Sequence, residues 1–232
     1  MFVYPEEVEN PTRHDHYMLW IIIAACTASF LITLLMGTRE TALQFGYIPA
    51  TAEGSRIITS MFVHGGFLHL LGNMFFFWMF GDNVEDVIGS LPFMTCHLLA
   101  GVASIRVYDL LHPGSTIPLV GASGAISGVA GMYIVFFPTA AADLVFYFRS
   151  WEFGRFRTRV AYALGAWFGM QLILVLLVER TSLGESVRIA FSAHVGGFIA
   201  GIVLGSLFLL LGYMKRYKCK SDNRSWLLGY AT

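Results

Sequence analysis

The amino-acid sequence predicts an all-α membrane protein with six transmembrane helices, on two observations. First, its 232 residues are 56% hydrophobic and 13% charged, with a mean hydropathy of +0.64, whereas a soluble domain carries about 25% charged residues. Second, the charged residues are spaced so that they leave six long apolar stretches. A helix of about 20 such residues spans a hydrocarbon core about 30 Å thick.

The predicted spans are these charge-free stretches, because an unpaired charge at the bilayer centre costs about 2.5 to 3.5 kcal/mol. Pro113 and Pro118 break the start of the fourth stretch, so its helix is expected to begin at about Leu119. The predicted spans are Tyr17–Thr38, Ile57–Gly81, Val87–Ile105, Leu119–Pro138, Val160–Val178 and Ile189–Met214.

The distribution of basic residues predicts the orientation. Ten of the 15 Lys and Arg residues fall on the side that holds both termini, and basic residues favour the cytoplasmic side of a membrane. We therefore expect a cytoplasmic N-terminal segment, 1–16, a membrane domain, 17–214, and a basic cytoplasmic tail, 215–232. The acidic segment before the first span resembles neither a signal peptide nor an organellar targeting sequence, which favours a prokaryotic plasma (inner) membrane.

The composition also disfavours several classes of function. A formal net charge of +0 offers no basic surface for nucleic acid. Cys26, Cys96 and Cys219 lie in two apolar runs and a basic tail, without the spacing of a disulfide framework or a metal site, and are expected to be packing residues. No cofactor and no metal are expected. The lipid bilayer is an expected partner, and the oligomeric state is left open.

Polar side chains inside the predicted spans are the candidate functional residues. His69 and Asn73 lie on the second span. Ser123 lies near the start of the fourth span, and His194 lies near the start of the sixth. These spans run in the same direction, so Ser123, His194 and His69 are expected at one depth, roughly 6–9 Å below the outer surface, with Asn73 one turn deeper. Because they are four residues apart, His69 and Asn73 should face the same way.

Glycine spacing indicates how these residues could meet. The sixth span carries Gly197, Gly201 and Gly205 at four-residue intervals, and the fourth span is rich in Gly and Ala. Small residues at this spacing let helix backbones approach closely. Such a contact could bring the Ser123 hydroxyl within hydrogen-bond distance of the His194 imidazole, which is the arrangement of a base-activated serine nucleophile.

The predicted chemistry is that of a Ser–His dyad. No Asp or Glu lies inside the second, fourth or sixth predicted span to orient His194 as in a catalytic triad. His69 and Asn73 would donate hydrogen bonds to a developing oxyanion. Ser127, one turn below Ser123, is a rival nucleophile that ranks second because it lies deeper.

Two alternatives belong to other functional classes. Four histidines could hold haem or a metal, but His64 and His69 do not share a helix face, and His97 enters from the opposite side to His194. His64 and His97 are therefore expected in structural contacts. A small-molecule transporter is disfavoured because the spans lack paired charges.

Three motifs resemble those of the rhomboid family of intramembrane serine proteases. The segment His64–Asn73 has the pattern HxxxxHxxxN, Gly121–Gly124 has GxSG, and Ala193–Gly201 has AHxxGxxxG. Each motif is short, but together they follow the family's order on alternate predicted spans. The resemblance covers most of the chain.

The resemblance implies a six-helix rhomboid-like bundle with serine endopeptidase activity. Ser123 would attack the peptide carbonyl, and His194 would act as general base and then as general acid. His69, Asn73 and the Ser123 backbone N–H would receive the oxyanion. Substrates would be transmembrane helices that enter near the fifth span and are cut close to the outer face. The alternative is an inactive rhomboid-like protein that binds membrane helices, which the presence of Ser123 and His194 disfavours.

Two positions differ from the family pattern. Ser55–Arg56 stands where many members have a Trp–Arg pair in the first outer loop, and Ser127 stands where bacterial members place a Tyr against the catalytic His. Without that Tyr, His194 must be oriented by packing or by another polar group.

Overall fold

The computed structural model describes residues 2–7, 15–148, 151–179, 181 and 189–213. The predicted tail, 215–232, lies outside the described residues together with Cys219. A π-helical turn, Val175–Glu179, directly follows the helix Val160–Leu174. The helices are α1 Tyr17–Met36, α2 Thr38–Phe45, α3 Gly54–Thr59, α4 Phe67–Ile88, α5 Ser90–Leu111, α6 Ser123–Phe136, α7 Val160–Leu174 and α8 Phe191–Leu210, and the strands are β1 Phe2–Glu7, β2 Ala141–Phe148 and β3 Trp151–Arg159.

Among the described residues, four helical segments are long and apolar enough to cross a membrane. They are α1, α5, α7 with its π-helical turn, and α8, which correspond to the first, third, fifth and sixth predicted spans. The other two predicted spans correspond to α4, which carries three acidic residues near its end, and to α6, which has 14 residues. The mostly helical architecture is confirmed, and the count of six spans stays a prediction.

The predicted second span, Ile57–Gly81, is wrong at both ends. Its first residues belong to α3 and to the irregular segment that follows, and α4 begins only at Phe67. At the other end α4 continues to Ile88, across acidic residues that were expected to end it.

The carboxylate of Glu85 explains why α4 continues. Its side chain is buried, and it accepts hydrogen bonds from the backbone N–H groups of Met18 and Leu19 at 3.0 and 2.8 Å. These N–H groups lie in the first turn of α1, where no intrahelical acceptor is available. A carboxylate at a helix N-terminus is also favoured by the helix dipole. Because its charge is compensated by α1, Glu85 does not end the helix that carries it.

The third predicted span, Val87–Ile105, is displaced for a similar reason. α5 begins later and continues to Leu111, so it includes two charged residues of its last turns. Arg106 and Asp109 are three positions apart and approach to 3.8 Å, a spacing that places opposite charges on one helix face.

The fourth predicted span begins later than expected. Leu119 is not helical, because its backbone forms an isolated antiparallel bridge with Tyr47. Gly121 has a φ of +118°, which interrupts a right-handed helix. Helix α6 therefore begins at Ser123.

The prediction of an all-α fold is wrong for the connection between α6 and α7. There β2 and β3 form an antiparallel hairpin, and β1 pairs with β2 as a third antiparallel strand. The register pairs Phe2 with Tyr147 and Glu7 with Ala142. Leu, Val, Phe and Tyr succeed one another in β2, a composition that favours strands. The N-terminal segment and the α6–α7 connection therefore meet at one end of the bundle.

Helix α6 is the centre of the bundle. It packs against α4, α5 and α8, and its Val129, Met132 and Tyr133 side chains are completely or almost completely buried. Cys26 and Cys96 are unpaired and belong to the same apolar core, as predicted. The first residue of α6 is consequently surrounded by the ends of neighbouring helices.

The segment between α1 and α4 is held by hydrogen bonds to backbone carbonyls. Arg56 donates from Nη1 to the Leu43 carbonyl at 2.8 Å and from Nε to the Glu53 carboxylate at 2.7 Å. Thr59 donates to the Phe45 carbonyl at 2.8 Å. These contacts tie α3 to α2, which gives Arg56 a structural role within this loop.

Candidate active site

Ser123 and His194 meet at the N-terminal ends of two helices. Ser123 is the first residue of α6, and His194 lies in the first turn of α8. The Ser123 Oγ lies 2.9 Å from the His194 Nε2. The structure therefore brings these two predicted residues within hydrogen-bond distance, which is the contact that a base-activated serine requires.

Glycines between α6 and α8 account for this close approach. A Cβ built on Gly197 would collide with the carbonyl oxygen of Gly124, and a Cβ built on Gly201 would collide with that of Gly128. Backbone thus meets backbone without side chains between them. The contact extends over successive turns of both helices, so it fixes the separation of Ser123 and His194.

His69 and Asn73 converge on the backbone just before Ser123. A Cβ built on Gly121 would lie 2.8 Å from the His69 Nε2 and 3.5 Å from the Asn73 Nδ2. The φ of +118° at Gly121 is also a conformation that glycine adopts without strain. Glycine is therefore required here on two grounds, and its lack of a side chain leaves room beside Ser123 for two donor groups.

The groups around Ser123 are hydrogen-bond donors. The His69 Nδ1 accepts from the Gly65 N–H at 3.4 Å, so a neutral ring carries its proton on Nε2. The Asn73 amide is buried, and its Nδ2 makes no hydrogen bond within the described part of the chain. The first backbone N–H groups of α6 have no intrahelical acceptor, and they lie at the positive end of its dipole. Together these donors can stabilise negative charge on an oxygen atom beside Ser123.

Ser127 is engaged in a different contact. Its hydroxyl donates to the backbone carbonyl of Ser123, one turn earlier, at 2.7 Å. The side chain is buried, and this type of bond to the preceding turn is usual for Ser in a helix. The geometry therefore favours Ser123 over Ser127 as the nucleophile.

Gln171 is a residue of the site that sequence reasoning missed. Its Oε1 lies 3.0 Å from the His194 Nδ1, the ring nitrogen that does not face Ser123, and its side chain is 4% exposed. Gln171 is the only Asn, Gln, His or charged residue in the predicted fifth span. The rule that singled out Asn73, a polar residue in an apolar span, would have found it.

A cavity of about 1810 Å³ lies over the dyad. It is lined by the first turns of α4, α6 and α8, by the end of α5 and by the segment 112–121. Glu179 also lines it and accepts hydrogen bonds from the N–H and the hydroxyl of Ser192, both at 2.6 Å. These bonds fasten the end of the π-helical turn to the first turn of α8. The cavity is large enough for an extended peptide segment together with water.

The remaining histidines of the predicted spans have separate contacts. The His64 Nδ1 lies 3.1 Å from the Phe62 carbonyl oxygen, and the His64 and His69 ring centroids are 5.3 Å apart. His97 is buried against Phe77, with ring centroids 4.9 Å apart. Within the described ranges, no three His, Cys, Asp or Glu side chains form a group that could hold a metal ion.

The family model and the individual relatives that match this chain belong to the same family. A model of the rhomboid domain matches residues 51–211, a range that includes every residue of the site described above. RHOMBOID-like protein 5 of Arabidopsis thaliana is 28% identical over 158 residues, which cover 68% of this chain and 45% of that protein.

Two bacterial relatives have names that state an activity. The putative rhomboid protease YdcA of Bacillus subtilis is 29% identical over 123 residues, which cover 50% of this chain and 56% of that protein. Rhomboid protease GluP of the same bacterium is 28% identical over 167 residues, which cover 70% of this chain and 28% of that protein. The chain thus spans about half the length of the first two relatives and less of the third. With its membrane-length helices, the match identifies an integral membrane protein.

Proposed function

The chain belongs to the rhomboid family, and we propose that it is an intramembrane serine endopeptidase that uses a Ser123–His194 dyad. The observation that carries the proposal is the 2.9 Å distance between the Ser123 Oγ and the His194 Nε2. The donor groups beside Ser123 supply a second requirement of acyl transfer, and relatives named as rhomboid proteases support the class of reaction.

In the first step the Ser123 Oγ attacks the peptide carbonyl carbon while its proton passes to the His194 Nε2. The carbonyl oxygen becomes a tetrahedral oxyanion. Asn73 Nδ2–H, His69 Nε2–H and the Ser123 backbone N–H donate to this oxyanion. Because these donors are already oriented, little reorganisation is needed when the charge develops.

The second half of the reaction returns the enzyme to its starting state. The tetrahedral intermediate collapses, the C–N bond breaks, and protonated His194 gives its proton to the leaving amine. His194 then takes a proton from water, which attacks the acyl-enzyme. The Ser123 oxygen leaves with that proton, and the product has a new C-terminal carboxylate.

The position of the site supports transmembrane helices as substrates. Ser123 begins α6, whereas the sheet follows the other end of that helix, so the site and the sheet lie at opposite ends. With the cytoplasmic N-terminus that the basic residues predict, the site faces the outer side of what we propose is a prokaryotic plasma membrane. A substrate helix would have to unwind locally there, because its backbone groups are paired internally.

The proposal is tested by labelling the purified protein in detergent with a fluorophosphonate probe, which reacts with activated serines. Wild type and Ser127→Ala should be labelled. Ser123→Ala should not be labelled, and His194→Ala should be labelled at least about 1000-fold more slowly. Cleavage of a reporter transmembrane helix in liposomes should follow the same order.

Equal labelling of Ser123→Ala would contradict the assignment of the nucleophile. A folded wild-type protein that binds the reporter helix but is neither labelled nor active would instead support the inactive rhomboid-like protein. Loss of labelling in Ser127→Ala, with labelling retained in Ser123→Ala, would exchange the roles of the two serines.

A further inference from the structure

The two ring nitrogens of His194 have different partners on different helices. Nε2 faces the Ser123 hydroxyl of α6 at 2.9 Å, and Nδ1 faces the Gln171 amide oxygen of α7 at 3.0 Å. A neutral imidazole has one N–H donor and one acceptor. Because the amide oxygen can only accept, the proton belongs on Nδ1. The lone pair on Nε2 is then free to accept the proton of Ser123.

The surroundings of Gln171 hold this amide in place. On α7, Trp167 lies one turn before Gln171, and its ring centroid is 6.0 Å from that of His194. Phe168 stacks on Phe198 of α8 with centroids 4.7 Å apart. These aromatic contacts seat α7 against α8 at the level of His194, and the buried amide has little freedom to turn away.

An amide suits this position better than a carboxylate on energetic grounds. The fifth predicted span has no Asp or Glu, and a charge in the middle of such a helix costs about 2.5 to 3.5 kcal/mol on insertion scales. A glutamine side chain has the same length as that of glutamate and also ends in an acceptor oxygen, but it carries no charge and avoids that cost. It selects the tautomer and holds the ring, although it compensates less of the positive charge that forms on His194.

We propose that Gln171 is the positioning residue of His194, a proposal that rests on the proposed function. It takes no proton at any step. When the proton of Ser123 moves to Nε2, His194 carries an N–H on both nitrogens, and the Nδ1–H···O bond to Gln171 becomes charge-assisted and stronger. Gln171 therefore acts through His194 and makes no contact with the reacting atoms.

The test compares two substitutions of similar size. Gln171→Met keeps the length of the side chain but removes the acceptor oxygen, and Gln171→Glu keeps the acceptor. Leu172→Met is the matched control, because it introduces a methionine on the exposed side of α7. We expect Gln171→Met to lower kcat about 10- to 100-fold with little change in KM, less than the loss on changing a triad carboxylate. Leu172→Met should match wild type.

A pH profile separates positioning from packing. In Gln171→Glu a negative charge faces Nδ1–H and favours protonated His194, so the acidic limb of the rate profile should move to higher pH, with kcat restored above it. Two titratable groups of the described residues lie near His194 on neighbouring elements: His69 of α4 and Glu179, whose carboxylate binds Ser192 of α8. Both are unchanged in every variant. If Gln171 were purely structural, its substitution would change the stability of the protein but not the position of the acidic limb.

The outcomes distinguish this inference from the proposed function. If wild type is not labelled at Ser123, the proposed function fails and Gln171 has no dyad to position. If wild type is labelled and Gln171→Met retains full kcat, the inference is overturned while the dyad stands. If Gln171→Met does not fold, Gln171→Glu decides, because a wild-type pH profile in that variant overturns the inference as well.

Discussion

Helix α8 carries His194 between two neighbours that contact it in different ways. α6 meets α8 backbone to backbone, through glycines whose Cβ atoms would collide with the partner helix. α7 meets α8 through aromatic rings and the amide of Gln171. Yet α7 has glycines at four-residue spacing too. No described atom from another part of the chain lies within 4 Å of a Cβ built on Gly165 or Gly169.

This contrast shows what glycine spacing does and does not indicate. Small residues at four-residue intervals permit a close helix contact, and the closest approaches of α6 and α8 occur where glycine faces glycine. α6 provides Gly124 and Gly128 opposite the glycines of α8. The same pattern on α7 has no such counterpart. The proposed Ser123–His194 pair is thus held by backbone packing on one side of α8 and by a polar contact on the other.

The largest effect is expected from breaking the close contact. In Gly197→Leu the new side chain would meet the Gly124 carbonyl, so α6 and α8 would have to separate. Over-packing costs about 1–3 kcal/mol or more, and a displacement of about 1 Å at reacting atoms costs about 100-fold in rate. Because a Leu needs a larger displacement, we expect activity below about 1% of wild type and a lower midpoint of thermal unfolding in detergent.

Gly165→Leu is the matched control for that variant, because it adds the same side chain to the open glycine of α7. It should leave both the unfolding midpoint and the activity close to wild type. If both variants lost activity and unfolding midpoint equally, the close α6–α8 contact would contribute no more to stability and activity than the open glycine of α7.

The next effect is expected from removing a donor while the helix packing stays intact. Asn73→Ala should lower kcat by roughly 10- to 1000-fold, the scale of losing one oxyanion donor. The unfolding midpoint should change little, since the Asn73 Nδ2 makes no hydrogen bond within the described residues. Leu71→Ala, an exposed neighbour on α4, should retain activity. Unchanged turnover in Asn73→Ala would remove this residue from the site.

The smallest effect is expected from weakening the hydrogen bonds between the π-helical turn that follows α7 and the first turn of α8. Glu179→Gln loses one of the two carboxylate oxygens that accept from Ser192, which should lower the free energy of unfolding by about 1–2 kcal/mol. Glu40→Gln, an exposed residue of α2, is the control for the change of charge. Chemical denaturation in mixed micelles gives the comparison, and identical unfolding curves for the two variants would show that Glu179 does not hold α7.

Helix positions could be predicted from the sequence because lipid excludes unpaired charge. Their ends could not, because charge inside a helix is tolerated when it has a partner. Glu85 is compensated by N–H groups of α1, and Arg106 is compensated by Asp109 within α5. Such partners depend on tertiary packing, so a count of charge-free residues places the boundaries several residues away from the observed ones.

Local pattern carries only part of the information for the sheet: the composition of β2 favours a strand, but the pairing of the three strands is not a local property. β2 and β3 are adjacent in sequence, but β1 is distant, and its pairing depends on the bundle bringing the two segments together. Basic residues between 149 and 159 indicated a cytoplasmic connection, and they gave no sign of its conformation.

The residues of the candidate site were easier to predict than the helix boundaries, with one exception. Ser123, His194, His69 and Asn73 stood out because few polar residues lie in the apolar spans, and their motifs occur together. Gln171 lies in a span without a motif, so no pattern in the sequence links it to His194. The contact between Gln171 and the His194 Nδ1 depends on the packing of α7 beside α8.

The pairing of β1 with β2 has a consequence for the order of folding. Phe2 is synthesised before α1, and its partner, Tyr147, is synthesised only after α6. Chains are made from the N-terminus, and contacts between distant segments form late. The N-terminal strand must therefore remain unpaired on the ribosome until α1 to α6 have been synthesised. The β1–β2 pairs can form only when the connection between α6 and α7 lies beside the N-terminal segment.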